Sequence, residues 1–264
     1  MKIGIAGIGV VGSAALRSFN ENKIDVVAYD KFKNMGSLED LLQTDIVFLC
    51  LPTLYNEEKS SYDKTAINDV CDQLRANSYV GLVVVKSTVE PTTSEKLADY
   101  YGLNIFHNPE FLTARTAYED FHNQPHIIIG KTSKITDAQV NYLINFYEQY
   151  YPVAEITVCS STESESIKIF CNCFYSVKIQ FFNEIYLLCQ KLGIDYNCVK
   201  DTMLKNGWIN PMHTQVPGHD GKLSYGGMCF PKDTNALLSF MKTQGTPCMV
   251  MEATVKEHNL MRSD

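Results

Sequence analysis

Two pairs of residues, distant from each other in this chain, have the types and settings to do chemistry: Cys229 with Asp233, and Lys168 with Asn172. Cys229 lies in "YGGMCFPKD" (225–233), two residues before Pro231 and four before Asp233. Proline suits the first turn of a helix, and an aspartate there can accept the free backbone N–H groups. Cys229 is thus predicted just ahead of a helix N-terminus, where the helix dipole favours a thiolate. Gly226 and Gly227 remove side chains where a substrate would have to reach the sulfur. The competing reading is a small core residue with no reactive role.

Lys168 and Asn172 stand four apart in "SIKIFCNCFYSVKIQFFNE", a largely apolar stretch, so a helix would put both on one face. An ammonium beside an amide in a dry setting can stabilise a developing oxyanion. Against this stands a lysine that snorkels to water and an asparagine bonded to backbone.

At the amino terminus, Gly7, Gly9 and Gly12 form G-x-G-x-x-G between an apolar run, "KIGIAG", and a helical one. That arrangement suits a tight turn, close approach of a pyrophosphate to backbone, and close packing of helix on strand. Asp30 ends the next apolar run, eighteen residues beyond Gly12. A carboxylate there can bind both ribose hydroxyls and repel a 2′-phosphate, which favours NAD over NADP. Lys31 and Lys33 keep the second cofactor open, and a spacing-saving glycine turn with a solvated Asp30 is the plain alternative.

These residues need elements to hold them. Apolar runs at 25–30, 45–51, 80–87, 104–108, 126–130 and 152–158 alternate with helical stretches at about 62–76, 91–101 and 134–150. Such alternation predicts an α/β fold, a doubly wound parallel sheet covered on both faces. From Ser160 to Lys191 there is no glycine or proline, which predicts one long helix. Its candidate caps are Ser161 or Thr162, the latter with Glu165 three residues on. Helices at about 195–206, 231–244 and 247–261 follow, around a loop (207–230) that holds His213, His219, Lys222 and Tyr225. The division expected is 1–159, cofactor-binding, and 160–264, helical and substrate-binding.

The chain's 264 residues, 45% hydrophobic, suffice for one large or two modest domains. A formal charge of −7 with no basic stripe argues against nucleic acid. No apolar run is long enough to span a membrane. Nine cysteines without a regular framework, "CNC" (171–173) included, predict reduced thiols in a cytoplasmic protein and no metal site.

Taken in order, these stretches resemble the UDP-glucose/GDP-mannose dehydrogenase family. "GIGVVG" looks like its cofactor turn, "KSTVEPTT" (86–93) like its S-T-V-x-P segment, and "NPEF" (108–111) like its N-P-E-F-L signature. "SIKIFCN" is similar to its K-x-x-x-N helix and "GGMCFPKD" to its G-G-x-C-x-x-K-D motif. The resemblance implies a Rossmann-like NAD-binding domain followed by a helical domain. The activity implied is oxidation of a nucleotide sugar at C6, UDP-glucose above others, to the uronate with two NAD⁺. On the same basis Cys229 carries a thiohemiacetal and then a thioester, and Lys168 and Asn172 stabilise the oxyanion. Asp233 and Thr88 hold the water or proton acceptor, and Glu110 assists hydrolysis. The implied cofactor contacts are Gly7, Ile8, Gly9, Val10, Val11, Gly12, Asp30, Pro52, Thr53, Ser87, Thr88 and Lys232. The implied substrate contacts are Glu110, Phe111, Leu112, Lys168, Asn172, Tyr225, Gly226 and Cys229. A homodimer through the long helix is expected as well.

Two departures qualify the resemblance. The family continues its signature as N-P-E-F-L-x-E-G, whereas this chain has Ala114 and Arg115 at the last two places. The family also carries a third, carboxy-terminal domain that has no counterpart in these residues. The readings that compete are therefore a silent NAD- or nucleotide-binding regulatory module and a one-step hydroxyacid dehydrogenase of a related two-domain type.

Overall fold

The computed structural model describes residues 1–262. Its first elements alternate strand and helix: β1 (Lys2–Ala6), α1 (Val10–Glu21), β2 (Asp25–Tyr29), α2 (Leu38–Leu42) and β3 (Ile46–Leu49). A two-stranded ribbon follows, β4 (Tyr55–Asn56) and β5 (Ser61–Tyr62). The alternation resumes with α3 (Thr65–Ala76), β6 (Leu82–Val85), α4 (Thr93–Tyr101), β7 (Asn104–His107) and α5 (Ala117–His122). It closes with β8 (His126–Lys131), α6 (Asp137–Tyr150) and β9 (Glu155–Ser160). Four helices complete the chain: α7 (Ser161–Leu192), α8 (Tyr196–Leu204), α9 (Phe230–Thr243) and α10 (Met249–Met261).

Seven strands form one sheet in the order β2-β1-β3-β6-β7-β8-β9. Side chains on a strand point alternately to its two faces, and here both faces are apolar. Ile3, Ile5, Ile46, Phe48, Leu82 and Val84 pack with α1, α5 and α6. Ala6, Val47, Leu49, Val83 and Val85 pack with α2, α3 and α4. On the first face the rings of Phe19, Phe48 and Phe146 meet at centroid distances of 5.4 to 6.0 Å. The doubly wound expectation holds.

One pairing differs from the all-parallel expectation: β8 runs antiparallel to β7. After α6, β9 pairs parallel with β8, so the last two strands form a parallel pair that runs opposite to the other five.

The chain divides into two compact units. The first holds Met1–Leu54 and Tyr62–Lys168, the second Tyr55–Ser61 and Ile169–Asp264. This division falls inside α7, later than the expected 159/160, because the opening turns of α7 are tied to the sheet. Ser164 Oγ meets His107 Nδ1 at 2.8 Å, and Glu165 Oε1 accepts the Ser94 N–H at 2.6 Å. A Cβ on Gly130 would lie 2.4 Å from that of Ser164, so α7 can approach β8 only at a glycine. The expected caps of α7 move too. Ser160 and Glu163 bond reciprocally, Ser160 N to Glu163 Oε2 at 2.8 Å and Glu163 N to Ser160 Oγ at 3.2 Å. Glu165 is thereby left to face inward.

In the second unit Phe182, Cys189, Tyr196 and Val216 form the apolar centre. Residues 55–61 belong to it because β4 packs on α9, with Tyr55 Oη 2.7 Å from Ser239 Oγ. Among the described residues no helix is long and apolar enough to cross a membrane.

Candidate functional site

The glycine turn has the geometry its spacing predicts. Gly7 has φ +90°, a left-handed conformation, and a Cβ there would meet the Cys50 carbonyl oxygen at 2.5 Å. Gly12 faces the Gly7 carbonyl oxygen, where a Cβ would lie at 1.9 Å. Gly9 is the N-cap of α1, and a Cβ on it would meet nothing within 4 Å. No side chain caps α1 and no acidic residue occupies its first turn. Its opening N–H groups, those of Val10 and Val11 included, thus have no competing anion on their own helix.

Asp30 directly follows β2 as an isolated bridge residue beside this turn. Its Oδ2 accepts the Ile8 N–H at 2.8 Å, and its Oδ1 accepts those of Phe32 and Lys33 at 3.0 Å each. Burial pushes its pKa up, but these three N–H groups and the Lys33 charge outweigh burial and hold it below the ordinary carboxylate range. The Lys33 ammonium itself donates to the Ile8 carbonyl. Gly7, Asp30 and Pro52 line a cavity of about 550 Å3, together with Phe32, Asp69 and Asp72. Open space at Gly9, an uncapped α1 and a carboxylate at the end of β2 fit a dinucleotide. α3 adds an acidic wall through Asp69 and Asp72, and Lys31 lines the same cavity, so the lining carries both signs of charge. Sequence reasoning missed that wall; its residues follow β3 by some twenty positions and carry no motif.

Of the other expected cofactor contacts, Ser87 and Thr53 bond the chain itself. Ser87 Oγ accepts the Leu51 N–H at 2.9 Å and donates to the Leu51 carbonyl at 2.7 Å. Thr53 donates to the Thr88 carbonyl at 2.7 Å. They tie the end of β3 to the end of β6.

Beyond β7 the signature residues form a second constellation in the same unit. Lys168 Nζ lies 3.1 Å from Glu110 Oε1 and also donates to the Glu110 carbonyl. Phe111 covers the ammonium at 5.1 Å from its ring centroid. Glu110 Oε2 accepts the Leu112 N–H at 2.8 Å, which fixes the turn. Ala114 and Arg115 are exposed further along this loop.

Beneath it sits a lysine that sequence reasoning missed. Lys86 is buried and donates to both the carbonyl and Oδ1 of Asn108, at 3.1 and 2.7 Å. Tyr147 donates to the same Oδ1, and Asn108 Nδ2 donates to the Ile128 carbonyl at 2.7 Å. Asn108 is thus fixed from three sides, two residues before Glu110. Burial lowers the Lys86 pKa to about 8. Burial, with Lys86 nearby, lowers that of His107 to about 3, so the imidazole is neutral. The available signal was a lysine closing the apolar run "VVV", an unusual place for a charge.

The second unit carries the thiol. Cys229 is exposed and is the N-cap residue of α9, with Pro231 in the first turn. Asp233 is fully buried. Its Oδ2 accepts from Asn172 Nδ2 and its Oδ1 pairs with Lys232 Nζ, each at 2.6 Å. Tyr225, expected to meet substrate, is buried and stacks on His258 at 4.1 Å. At Gly226 the space for a side chain is filled by the Arg262 guanidinium, 2.2 Å from an added Cβ. Gly227, by contrast, has φ +79° and nothing among the described residues within 4 Å of an added Cβ.

Residues 32–151 match the UDP-glucose/GDP-mannose dehydrogenase family, NAD binding domain, and residues 162–259 match the central domain of that family. The chain is 30% identical over 233 residues to a UDP-glucose 6-dehydrogenase of Rickettsia bellii, covering 83% of this chain and 50% of the relative. A UDP-glucose 6-dehydrogenase of Haloferax volcanii is 29% identical over 254 residues, 88% of this chain and 56% of the other. A solved UDP-glucose dehydrogenase from Pyrobaculum islandicum has a TM-score of 0.86 at 26% identity, covering 98% of this chain and 68% of that one. The chain spans about half the length of the curated relatives it matches.

Proposed function

The chain belongs to the UDP-glucose/GDP-mannose dehydrogenase family, and from that premise we propose that it oxidises UDP-glucose to UDP-glucuronate with two NAD⁺. The observation that carries this reading is the setting of Cys229. It is an exposed thiol at the N-cap of α9, one turn before a buried aspartate held by Asn172 and Lys232.

When bound, NAD⁺ supplies the hydride acceptor, held by the Gly7–Gly12 turn, the start of α1 and Asp30. The first oxidation takes one hydride from C6 and one proton from its hydroxyl, which leaves an aldehyde. The Cys229 sulfur adds to the aldehyde carbon, and the oxygen takes a proton to give a thiohemiacetal. A second hydride then leaves that carbon and a proton leaves its hydroxyl, which gives the thioester. Water attacks it, the C–S bond breaks, and carboxylate and thiol are released. Lys168 and Asn172 donate to the oxygen that bears negative charge through these steps. Asp233 and Thr88 hold the water, and Glu110 takes its proton. Ser87, Thr53 and Lys232 complete the cofactor side; Phe111, Leu112, Tyr225 and Gly226 complete the substrate side, Tyr225 and Gly226 by shaping the loop.

A homodimer through α7 belongs to the same proposal. Phe174, Phe181 and Leu188 recur every seven residues on that helix and are 64%, 49% and 52% exposed. An apolar stripe with this period suits helix-to-helix packing.

The test counts NADH per sugar consumed with purified protein, UDP-glucose and NAD⁺. Two per sugar is expected, and C229S should make no uronate while binding NAD⁺ as the parent does. One per sugar would mean arrest before hydrolysis, consistent with Ala114 in place of the family carboxylate. No turnover on any nucleotide sugar would favour the silent-module reading.

A further inference from the structure

The turn that leads to Cys229 is anchored at successive residues, Ser224, Tyr225 and Gly226. The Ser224 N–H donates to Asn183 Oδ1 at 2.9 Å. Ser224 Oγ donates to Gln180 Oε1 at 2.7 Å and lies 3.0 Å from His258 Nδ1. Tyr225 stacks on the same His258. Gly226 has no side chain to anchor, yet it is the best-filled glycine of the loop. Arg262, directly after α10, lays its guanidinium there, with Cζ and Nη2 each 2.2 Å from where a Cβ would sit. The Arg262 side chain is only 6% exposed, and Nη2 pairs with Asp220 Oδ2 at 2.7 Å. Beyond Gly226 the chain turns out through Gly227 to exposed Met228 and Cys229.

The backbone at Gly226 is not in the left-handed region. Any residue could adopt its conformation, so glycine stands there for space alone, and the occupant of that space is an arginine of the same chain. A planar guanidinium fits such a gap, and a carboxylate at its edge fixes its orientation. We propose that Arg262, aimed by Asp220 and seated on Gly226, is the positioning residue of the thiol-bearing turn. It is seated on the turn three residues before Cys229 and sets where α9 begins. The inference deepens the proposed function, since it concerns how that nucleophile is held, but it is read without cofactor or sugar.

The experiment uses the whole chain and four variants: R262A, D220N, G226A and the double variant G226A/R262A. Iodoacetamide labelling is followed peptide by peptide, with exposed Cys198 on α8 as the internal reference. R262A should change the Cys229-to-Cys198 rate ratio at least threefold, with D220N moving it in the same direction by less. G226A should lower Tm by several degrees, and adding R262A should recover most of that loss, because the methyl then enters the vacated space. General loosening of the fold would alter both thiols and leave G226A unrelieved. An unchanged ratio in both R262A and D220N, or a double variant no more stable than G226A, overturns the proposal. D220N keeps the test decisive if R262A fails to fold. NADH formation is not read, so a chain that oxidises no sugar leaves this test intact.

Discussion

α1 and α4 both lie against the seven-stranded sheet, yet their first turns are satisfied in opposite ways. α1 starts at Gly9 with no cap and open space beside it. α4 also lacks a cap of its own, since Thr92 at its N-cap is left-handed (φ +79°) and makes no side-chain bond. There the opening Ser94 N–H is buried and receives the Glu165 carboxylate from α7, seventy-one residues away in sequence. An exposed helix start can be left for a ligand, because water satisfies it meanwhile. A buried one must be met from within, since an unpaired buried N–H costs about 1–3 kcal/mol.

The largest loss is expected at Gly12. G12A places a methyl where backbone already sits, 1.9 Å from the Gly7 oxygen. The turn and α1 must separate, at a cost of about 3 kcal/mol or more. Urea denaturation should show that loss without any cofactor present. A G12A protein of parental stability would mean that the turn is looser than its contacts require.

α4's start gives the pH prediction. Burial pushes the Glu165 carboxyl up to about 7, against the N–H groups that favour its charge. The folded state therefore holds a proton that the unfolded chain releases near 4.5. Stability from this group is complete below pH 4.5 and is lost as pH rises through 7. His107 acts oppositely: its folded pKa of about 3 lies below the ordinary 6.5. Its contribution is present above pH 6.5 and is lost as pH falls toward 3. Between pH 4.5 and 6.5 the two slopes offset one another in the parent chain. E165Q keeps an acceptor for Ser94 but removes the titration, so its stability should rise with pH across that window. At pH 8 E165Q should exceed the parent by at most about 3 kcal/mol. Parallel pH profiles for parent and variant would refute the assignment of this slope to Glu165.

These positions also show what was legible in the sequence. The seven strands of the main sheet, the glycine turn and the start of α9 were readable, because each is encoded by neighbours within a few residues; the short ribbon of β4 and β5 was not. Pro231 after Cys229 is such a signal. Glu165 was readable as a helix-start residue, but of the wrong helix: serines at 160, 161 and 164 and a threonine at 162 offer several caps. The choice depends on which carboxylate finds a partner in α4. Gly226 was readable as a missing side chain, but not as a seat for Arg262, thirty-six residues on. Lys86 and Asn108 likewise meet across the sheet. Local pattern fixes where a group stands along the chain, whereas its partner is set by packing between distant elements.

The smallest effect on stability, and the one most particular to the comparison, is expected at Gly9. An added Cβ meets nothing there, and its φ of −75° suits any residue. Ser, Thr, Asn and Asp lead at N-caps and alanine ranks well below glycine, so G9A should cost under about 1 kcal/mol. The methyl nevertheless enters the space into which a pyrophosphate must come to reach the N–H groups of α1. NAD⁺ affinity, read by calorimetry on the protein alone, should fall tenfold or more while urea stability barely moves. Gly9 and Gly12 would then separate the two reasons for a glycine in one turn: room for the chain at one, room for a ligand at the other. If G9A binds NAD⁺ as the parent does, the open space beside α1 is not where the pyrophosphate lies.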